Sequence, residues 1–250
     1  MQLRIDTLDR IASPKFSSPN VILVPQGAEY HAVRRGMGAL PLSSQLPRVY
    51  PIPMGSEPVS KYLQQWITEI IPDRPTLVVL GLAGSLSAQH QVGDVVVYQQ
   101  CCNLAPESPL QSLGCDRALT EFLSDRLTPH TQPVTGLTST HIITQATKKQ
   151  NLSQTYQASV VDMEGFAILK TLQSADIAVG MVRVIGDRHN QDLPNLNHAI
   201  NAQGQLAPLP LTLEMLKHPI RAINLIHGSL KSLPILSKIT IQLYMDDNFK

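Results

Sequence analysis

Thr76–Leu86 reads TLVVLGLAGSL, and this stretch decides the fold. Its first half is an unbroken β-branched and leucine-rich run, the pattern of a strand buried on both faces. Its second half places Gly81 and Gly84 where the chain turns or passes close to another group. Immediately downstream, Val92–Tyr98 (VGDVVVY) supplies another buried strand, so two strands flank a glycine-containing loop. Upstream, Asn20–Pro25 (NVILVP) is a short apolar run that feeds a Pro-Gln-Gly turn with Glu29 just beyond it.

Working outward, Arg48–Pro53 reads as a strand, and Val59, Leu63, Trp66, Ile67 and Ile70 give Glu57–Ile70 helical spacing. Leu119–Leu127 is expected to be helical and Pro133–Thr140 extended. Ser159–Met163 is expected to be a strand that runs into a helix from Glu164 to about Ser174. Ile177–Ile185 (IAVGMVRVI) is strand-like and ends at Gly186-Asp187. Buried strands alternating with helices predict an α/β fold: one domain over residues 1–250, with a mixed, largely parallel central sheet flanked by helices. From about residue 205 to 250 a helical C-terminal extension follows. Its helices are expected at Leu211–Lys217, Ile220–Ser232 and Ile235–Tyr244, separated by Pro219 and Pro234. Its cations interleave with leucines and isoleucines, a pattern that can touch a membrane surface but is first explained by a cap packed on the sheet or on another subunit.

Composition limits the function classes. The 20 Lys and Arg nearly balance the 19 Asp and Glu, so no global field recruits nucleic acid or anionic membrane. The three cysteines include the adjacent pair Cys101 and Cys102 and form neither a disulfide framework nor a zinc spacing; no metal site is expected. The N-terminal residues MQLRIDTLDR carry charges where a signal peptide needs an apolar stretch, and no uncharged run approaches the ~20 residues of a membrane span. A cytoplasmic setting and no transmembrane segment are expected.

Ligands in parallel sheets gather beyond the carboxyl ends of the strands, where Glu29, Gly81–Leu86, Glu164 and Asp187 all lie. A carboxyl at Asp187 can stay protonated in a dry pocket and donate to a heterocycle nitrogen, or can cap a turn. Glu164, at a strand-to-helix junction, can accept from two adjacent sugar hydroxyls or answer the helix macrodipole. Glu29 can activate water or stand solvated at a helix start. The GLAGSL loop, through Ala83 and Gly84, offers backbone amides to a phosphate, a water or a ribose. It lacks the third glycine of a dinucleotide fingerprint, which argues against a Rossmann dehydrogenase. Arg34, Arg35 and Arg183 are candidate anion ligands. Arg183 and Asp187 are four apart on one strand, which suits an internal ion pair as well as a substrate contact.

Taken in order, these segments resemble the purine nucleoside phosphorylase and methylthioadenosine/S-adenosylhomocysteine nucleosidase superfamily. The resemblance rests on Glu29, on Gly81–Leu86 followed by Val92–Val97, on Val161–Gly165 (VDMEG) and on Arg183–Asp187 (RVIGD). It implies that Asp187 protonates or hydrogen-bonds a purine, Glu164 grips the ribose hydroxyls, Met163 packs under the sugar, and Glu29 activates water. Ile142 and Ile143 would lie near the base-stacking position. The implied activity is cleavage of the N-ribosidic bond of a purine nucleoside, of adenosine type, by phosphorolysis or hydrolysis. No cofactor is implied, phosphate is a candidate co-substrate, and a homo-oligomer is implied by resemblance alone. A non-catalytic nucleoside-binding homologue is the alternative.

Two positions depart from the family pattern: Leu82 stands where many members have Ser or Thr, and Gly186 replaces the Ser before the aspartate. A closer resemblance is to the hopanoid-associated phosphorylases, in the VDME segment, the Leu-Pro stretch after Asp187 and the basic C-terminal helices; it implies a lipid-linked nucleoside as substrate. Gly165 replaces the Ser of that branch.

Overall fold

A computed structural model describes residues 18–41, 46–70, 75–104, 110–127, 132–205 and 207–245. The expected strand at Asn20–Pro25 is β1 (Val21–Pro25), and its continuous apolar run is explained by position: Val21, Ile22, Leu23 and Val24 are all 0% exposed. It lies between β2 (Arg48–Ile52) and β3 (Leu77–Ser85), parallel to both. The decisive stretch TLVVLGLAGSL is therefore a central strand.

The remaining strands are β4 (Val95–Leu104), β5 (Ser112–Gly114), β6 (Val134–Ser139), β7 (Val160–Asp162) and β8 (Val179–Asp187). Five of the eight pairings are parallel, so the sheet is mixed and largely parallel as expected. It also closes on itself. β3 pairs with β8 along its length and with β7 at its end, β8 pairs with β4, β4 with β6, and β6 with β7. These five strands form a ring, with β1 and β2 extending from β3 and β5 from β4. Closure leaves no unpaired edge within the ring.

Helices cover both faces. α1 (Ala28–Gly38) and α2 (Ser56–Ile70) follow the first two strands. Val59, Leu63, Trp66 and Ile67 of α2 are buried against the sheet, with Trp66 edge-to-face on Tyr50 at 5.4 Å. Each such side chain contributes about 1.5–3 kcal/mol of burial free energy. α3 (Arg117–Arg126) matches the expected helix at Leu119–Leu127, and Asp116 caps it by accepting from the Leu119 amide at 2.9 Å. α5 (Gly165–Gln173) follows β7, as the strand-to-helix reading requires. α4 (Ala146–Tyr156) was not anticipated: ATKKQNLSQTY buries only Lys149 and Leu152, too little apolar periodicity to announce a helix.

The C-terminal extension corrects one expectation. After a 3₁₀ turn (Leu196–Ala199) come α6 (Pro208–Lys217) and α7 (Pro219–Tyr244), and α7 runs through Pro234 without the expected break. A proline removes one helical hydrogen bond, and tertiary packing on both sides of it outweighs that loss. Leu236, Thr240 and Leu243 are 0% exposed, and α7 lies close against α1 and β8. Toward its start the helix changes character: Ile220, Ile223 and Leu230, together with Leu209 and Leu216 of α6, are more than half exposed. Among the described residues no helix is long and apolar enough to cross a membrane.

Candidate active site

A cavity of about 240 Å³ opens where β1, β3, β7 and β8 end, and α1, α4, α7 and the N-cap residue of α5 border it. The structure brings Glu29, Ala83, Gly84, Ile142, Ile143, Met163, Glu164 and Asp187 together in its wall. They arrive from five separate segments, and the carboxyls are each set by a local feature of the chain.

Glu29 is the second residue of α1, reached through a turn at Gly27 whose φ of 89° few other residues adopt. Its Oε2 accepts the Leu82 amide at 2.6 Å. The approach requires a glycine at 81, because a Cβ there would sit 2.3 Å from Arg183 Nη1 and 2.8 Å from Glu29 Oε2. Burial raises the Glu29 carboxyl from 4.5 to about 7, opposed by the nearby Arg183 charge and the Leu82 amide. Such a group is poised to take a proton at neutral pH.

Glu164 occupies the N-cap position of α5 but makes no side-chain cap bond. Its Oε1 instead accepts from the Gly55 amide at 2.8 Å, while Ser56 donates to the Met163 carbonyl at 2.8 Å and ties α2 to the same junction. Burial raises this carboxyl to about 7 as well, against the Arg183 charge. The macrodipole reading of Glu164 thus gives way to a carboxyl turned inward.

Asp187 ends β8. The β3–β8 register slips at this point, pairing Ala83 with Ile185 but Gly84 with Asp187, so Gly186 forms an irregularity that re-aims the aspartate. Its carboxyl lies over Gly84, with Oδ2 3.0 Å from where a Cβ would be. Lys149 of α4 donates to Asp187 Oδ1. Burial raises the Asp187 carboxyl above its ordinary value, and Lys149 opposes the shift.

Arg183 does not reach the cavity surface. It is 0% exposed and donates to Asp162 at 3.0 Å, so the ion pair expected with Asp187 is made with Asp162 instead. The register slip at Gly186 separates the two residues that spacing alone had aligned. Asp162 is the centre of a network inside the ring: it also accepts from Thr138 at 2.7 Å, from the Gly165 amide at 3.1 Å and from Tyr98 at 3.3 Å. Arg183 also stands 4.0 Å from Glu164 Oε2. Arg34 and Arg35 are exposed on α1 and do not line the cavity.

The segment after β8 closes the opposite wall. The Leu193 amide donates to the Thr144 carbonyl at 2.8 Å, and Asn197 accepts from the Ile142 amide at 2.7 Å, holding the Ile142-Ile143 turn against Leu193 and Leu196. Leu225 and Ser229 of α7 complete the rim. Sequence reading missed Lys149, Asp162, Met54 and these α7 residues. Asp162 was visible inside VVDMEG, but Lys149 carried no signal, since a lysine in a polar segment is normally solvated. Among the described residues no group of three or more His, Cys, Asp or Glu is arranged to hold a metal ion. All three cysteines are free.

Two carboxyls raised to about 7, a third held by a lysine, and apolar walls between them form an acid–base site. Solved structures with the same fold include futalosine hydrolase of Helicobacter pylori strain 26695, at TM-score 0.65 and 15% identity over 89% of this chain and 95% of that one. The 5'-methylthioadenosine/S-adenosylhomocysteine nucleosidase of Helicobacter pylori aligns at TM-score 0.64 and 15% identity, covering 89% and 95%. A putative nucleosidase of that class from Borrelia burgdorferi, bound to adenine, aligns at 0.62 and 16%, covering 89% and 98%. Curated proteins give no sequence match. The family model described as the phosphorylase superfamily matches residues 27–207, more than half of the chain, and the protein therefore belongs to the phosphorylase superfamily.

Proposed function

We propose that the protein is an enzyme that hydrolyses the N-ribosidic bond of an adenosine-type nucleoside, with water rather than phosphate as nucleophile. One observation carries the choice of nucleophile: Glu29 already takes the Leu82 amide, and Asp162 already takes Arg183. The strand amide that would hold a phosphate is thus engaged by a carboxyl, and Arg183, 0% exposed, gives its Nη2 to Asp162 and does not reach the cavity wall. A phosphate beside Glu29 and Glu164 would also meet like charge, whereas a neutral water would not.

The geometry supports a division of roles. Glu164, steadied by the Gly55 amide, accepts the ribose hydroxyls, and Met163 packs under the sugar. Glu29 takes a proton from the attacking water as its oxygen bonds to the sugar carbon. Asp187 donates to the purine as the bond to the sugar breaks and the electron pair moves onto the base. Ile142, Ile143, Leu193 and Leu196 are aliphatic walls for the base, without the edge or face contacts an aromatic residue would add.

Met54 and Leu225 favour an apolar group on the ribose 5' carbon. The exposed aliphatic stripe of α6 and α7 extends that apolar character beyond the rim, which favours a lipid-linked nucleoside and offers a surface for a second copy of the chain. Vesicle flotation with and without an adenosylated lipid tests the former, and light scattering tests the latter.

The deciding experiment incubates purified protein with adenosine, methylthioadenosine and an adenosylated lipid, with and without phosphate. Free adenine and unphosphorylated sugar, formed at the same rate in both buffers, are expected. A ribose 1-phosphate that appears only with phosphate would overturn the choice of nucleophile. Tight binding in calorimetry without any adenine release would favour a non-catalytic nucleoside-binding homologue.

A further inference from the structure

A buried cation stands behind the carboxyl that faces the cavity. The Lys149 side chain is 1% exposed, and its ammonium donates to Asp187 Oδ1, to the Arg188 carbonyl at 2.9 Å and to the Gln191 carbonyl at 3.3 Å. Three donors meet three acceptors, which exhausts the group. The helix that carries it is itself fixed, since Asp192 accepts from the Ala146 amide at 2.9 Å at the start of α4. Removing an ammonium from water is costly unless a partner needs it there, and among the described residues its one charged partner is the carboxyl placed over Gly84.

An ammonium beside a carboxylate and an amine beside a carboxylic acid hold the same number of protons, and a dry cavity narrows the free-energy gap between them. We propose that Lys149 is a positioning residue that acts through Asp187, holding the carboxyl toward the base and supplying to it the proton that the carboxyl hands to the leaving purine. The inference rests on the hydrolytic reading above. The protons balance: one leaves water for Glu29 as the new carbon–oxygen bond forms. The other passes from Lys149 to Asp187 and on to the base as the carbon–nitrogen bond breaks, leaving Lys149 as the amine. Exchange with water as the products leave discharges Glu29 and recharges Lys149.

The test is a double-mutant cycle on adenine release from methylthioadenosine and adenosine, using K149M, D187N and K149M/D187N. K149M is expected to lower kcat by about 100-fold with KM changed less than about 3-fold, and to have almost no further effect in the D187N background. K149R keeps the charge but holds its protons too tightly to release one. It is expected to fold, keep KM and lose at least about 10-fold in kcat. Additive losses in the cycle, or full kcat in K149R, would overturn the inference while leaving hydrolysis intact. A wild-type protein that releases no adenine from any nucleoside overturns the hydrolytic reading itself, and this inference with it.

Discussion

Glu29 Oε2 accepts the backbone N–H of Leu82 at 2.6 Å, joining the first turn of α1 to the central strand across 53 residues of sequence. That bond fixes the carboxylate beside Arg183 and Glu164, and burial then sets its proton affinity at about 7. Much of the site's chemistry depends on this one placement.

Activity should follow the ionisation of that group. Glu29 must be ionised to take a proton, so kcat/KM is expected to rise with pH up to about 7, and the need for a proton to pass through Asp187 brings it down again at higher pH. E29Q removes the base and should lower kcat by about 100- to 10,000-fold, with the limb near neutrality lost. A pH–rate series on both proteins checks it, and an E29Q enzyme with the parental rate and profile would exclude Glu29 as the base.

Stability should move in the opposite sense. A carboxyl whose folded value is raised from 4.5 to about 7 contributes stability that is complete below 4.5 and is lost as pH climbs through about 7. E29Q cannot ionise, so it should melt about 2–4 °C higher than the parent at pH 8 and no higher at pH 4. Calorimetric scans at the two pH values decide the matter, and an equal shift at both would refute the burial account.

The tight approach at Gly81 makes a steric prediction. In G81A the new methyl would fall 2.3 Å from Arg183 Nη1 and 2.8 Å from Glu29 Oε2. Overpacking of this kind costs about 1–3 kcal/mol, and it should also displace Glu29 from the Leu82 amide. Urea melts and kinetics on one preparation would reveal both losses together; an unchanged midpoint would contradict the packing.

Gly228 and Gly186 should respond differently to the same change. A Cβ on Gly228 would meet the Gly186 carbonyl at 2.1 Å, whereas a Cβ on Gly186 has ordinary contacts no nearer than 3.8 Å. G228A is therefore expected to push α7 off the end of β8 and lower stability by about 1–3 kcal/mol, while G186A and G186S should be nearly neutral. Thermal melts of the three variants compare them directly. The structure leaves room for a side chain at Gly186, and nothing in it explains the glycine there.

Legibility in the sequence varied with the kind of interaction. Runs such as NVILVP and TLVVL read as buried strands because burial on both faces leaves an unbroken apolar stretch, whereas GLAGSL read as a glycine loop and instead continues β3 to Ser85; the spacing of Val59, Leu63, Trp66 and Ile67 read as a helix because one face is buried. Glu29, Glu164 and Asp187 were locatable because they stand at strand ends, where the chain leaves the sheet and side chains can converge.

Composition and local periodicity thus determined the element types, the largely parallel sheet and the positions at which acids could meet. Tertiary structure alone decided the closure of five strands into a ring, the passage of α7 through Pro234, the pairing of Arg183 with Asp162, and the arrival of Lys149 at Asp187. The physical reason is common to all four. Periodicity records which face of one segment is buried, but partner choice depends on distances between segments far apart in the chain, and a one-residue slip such as that at Gly186 leaves no trace in the pattern of apolar residues.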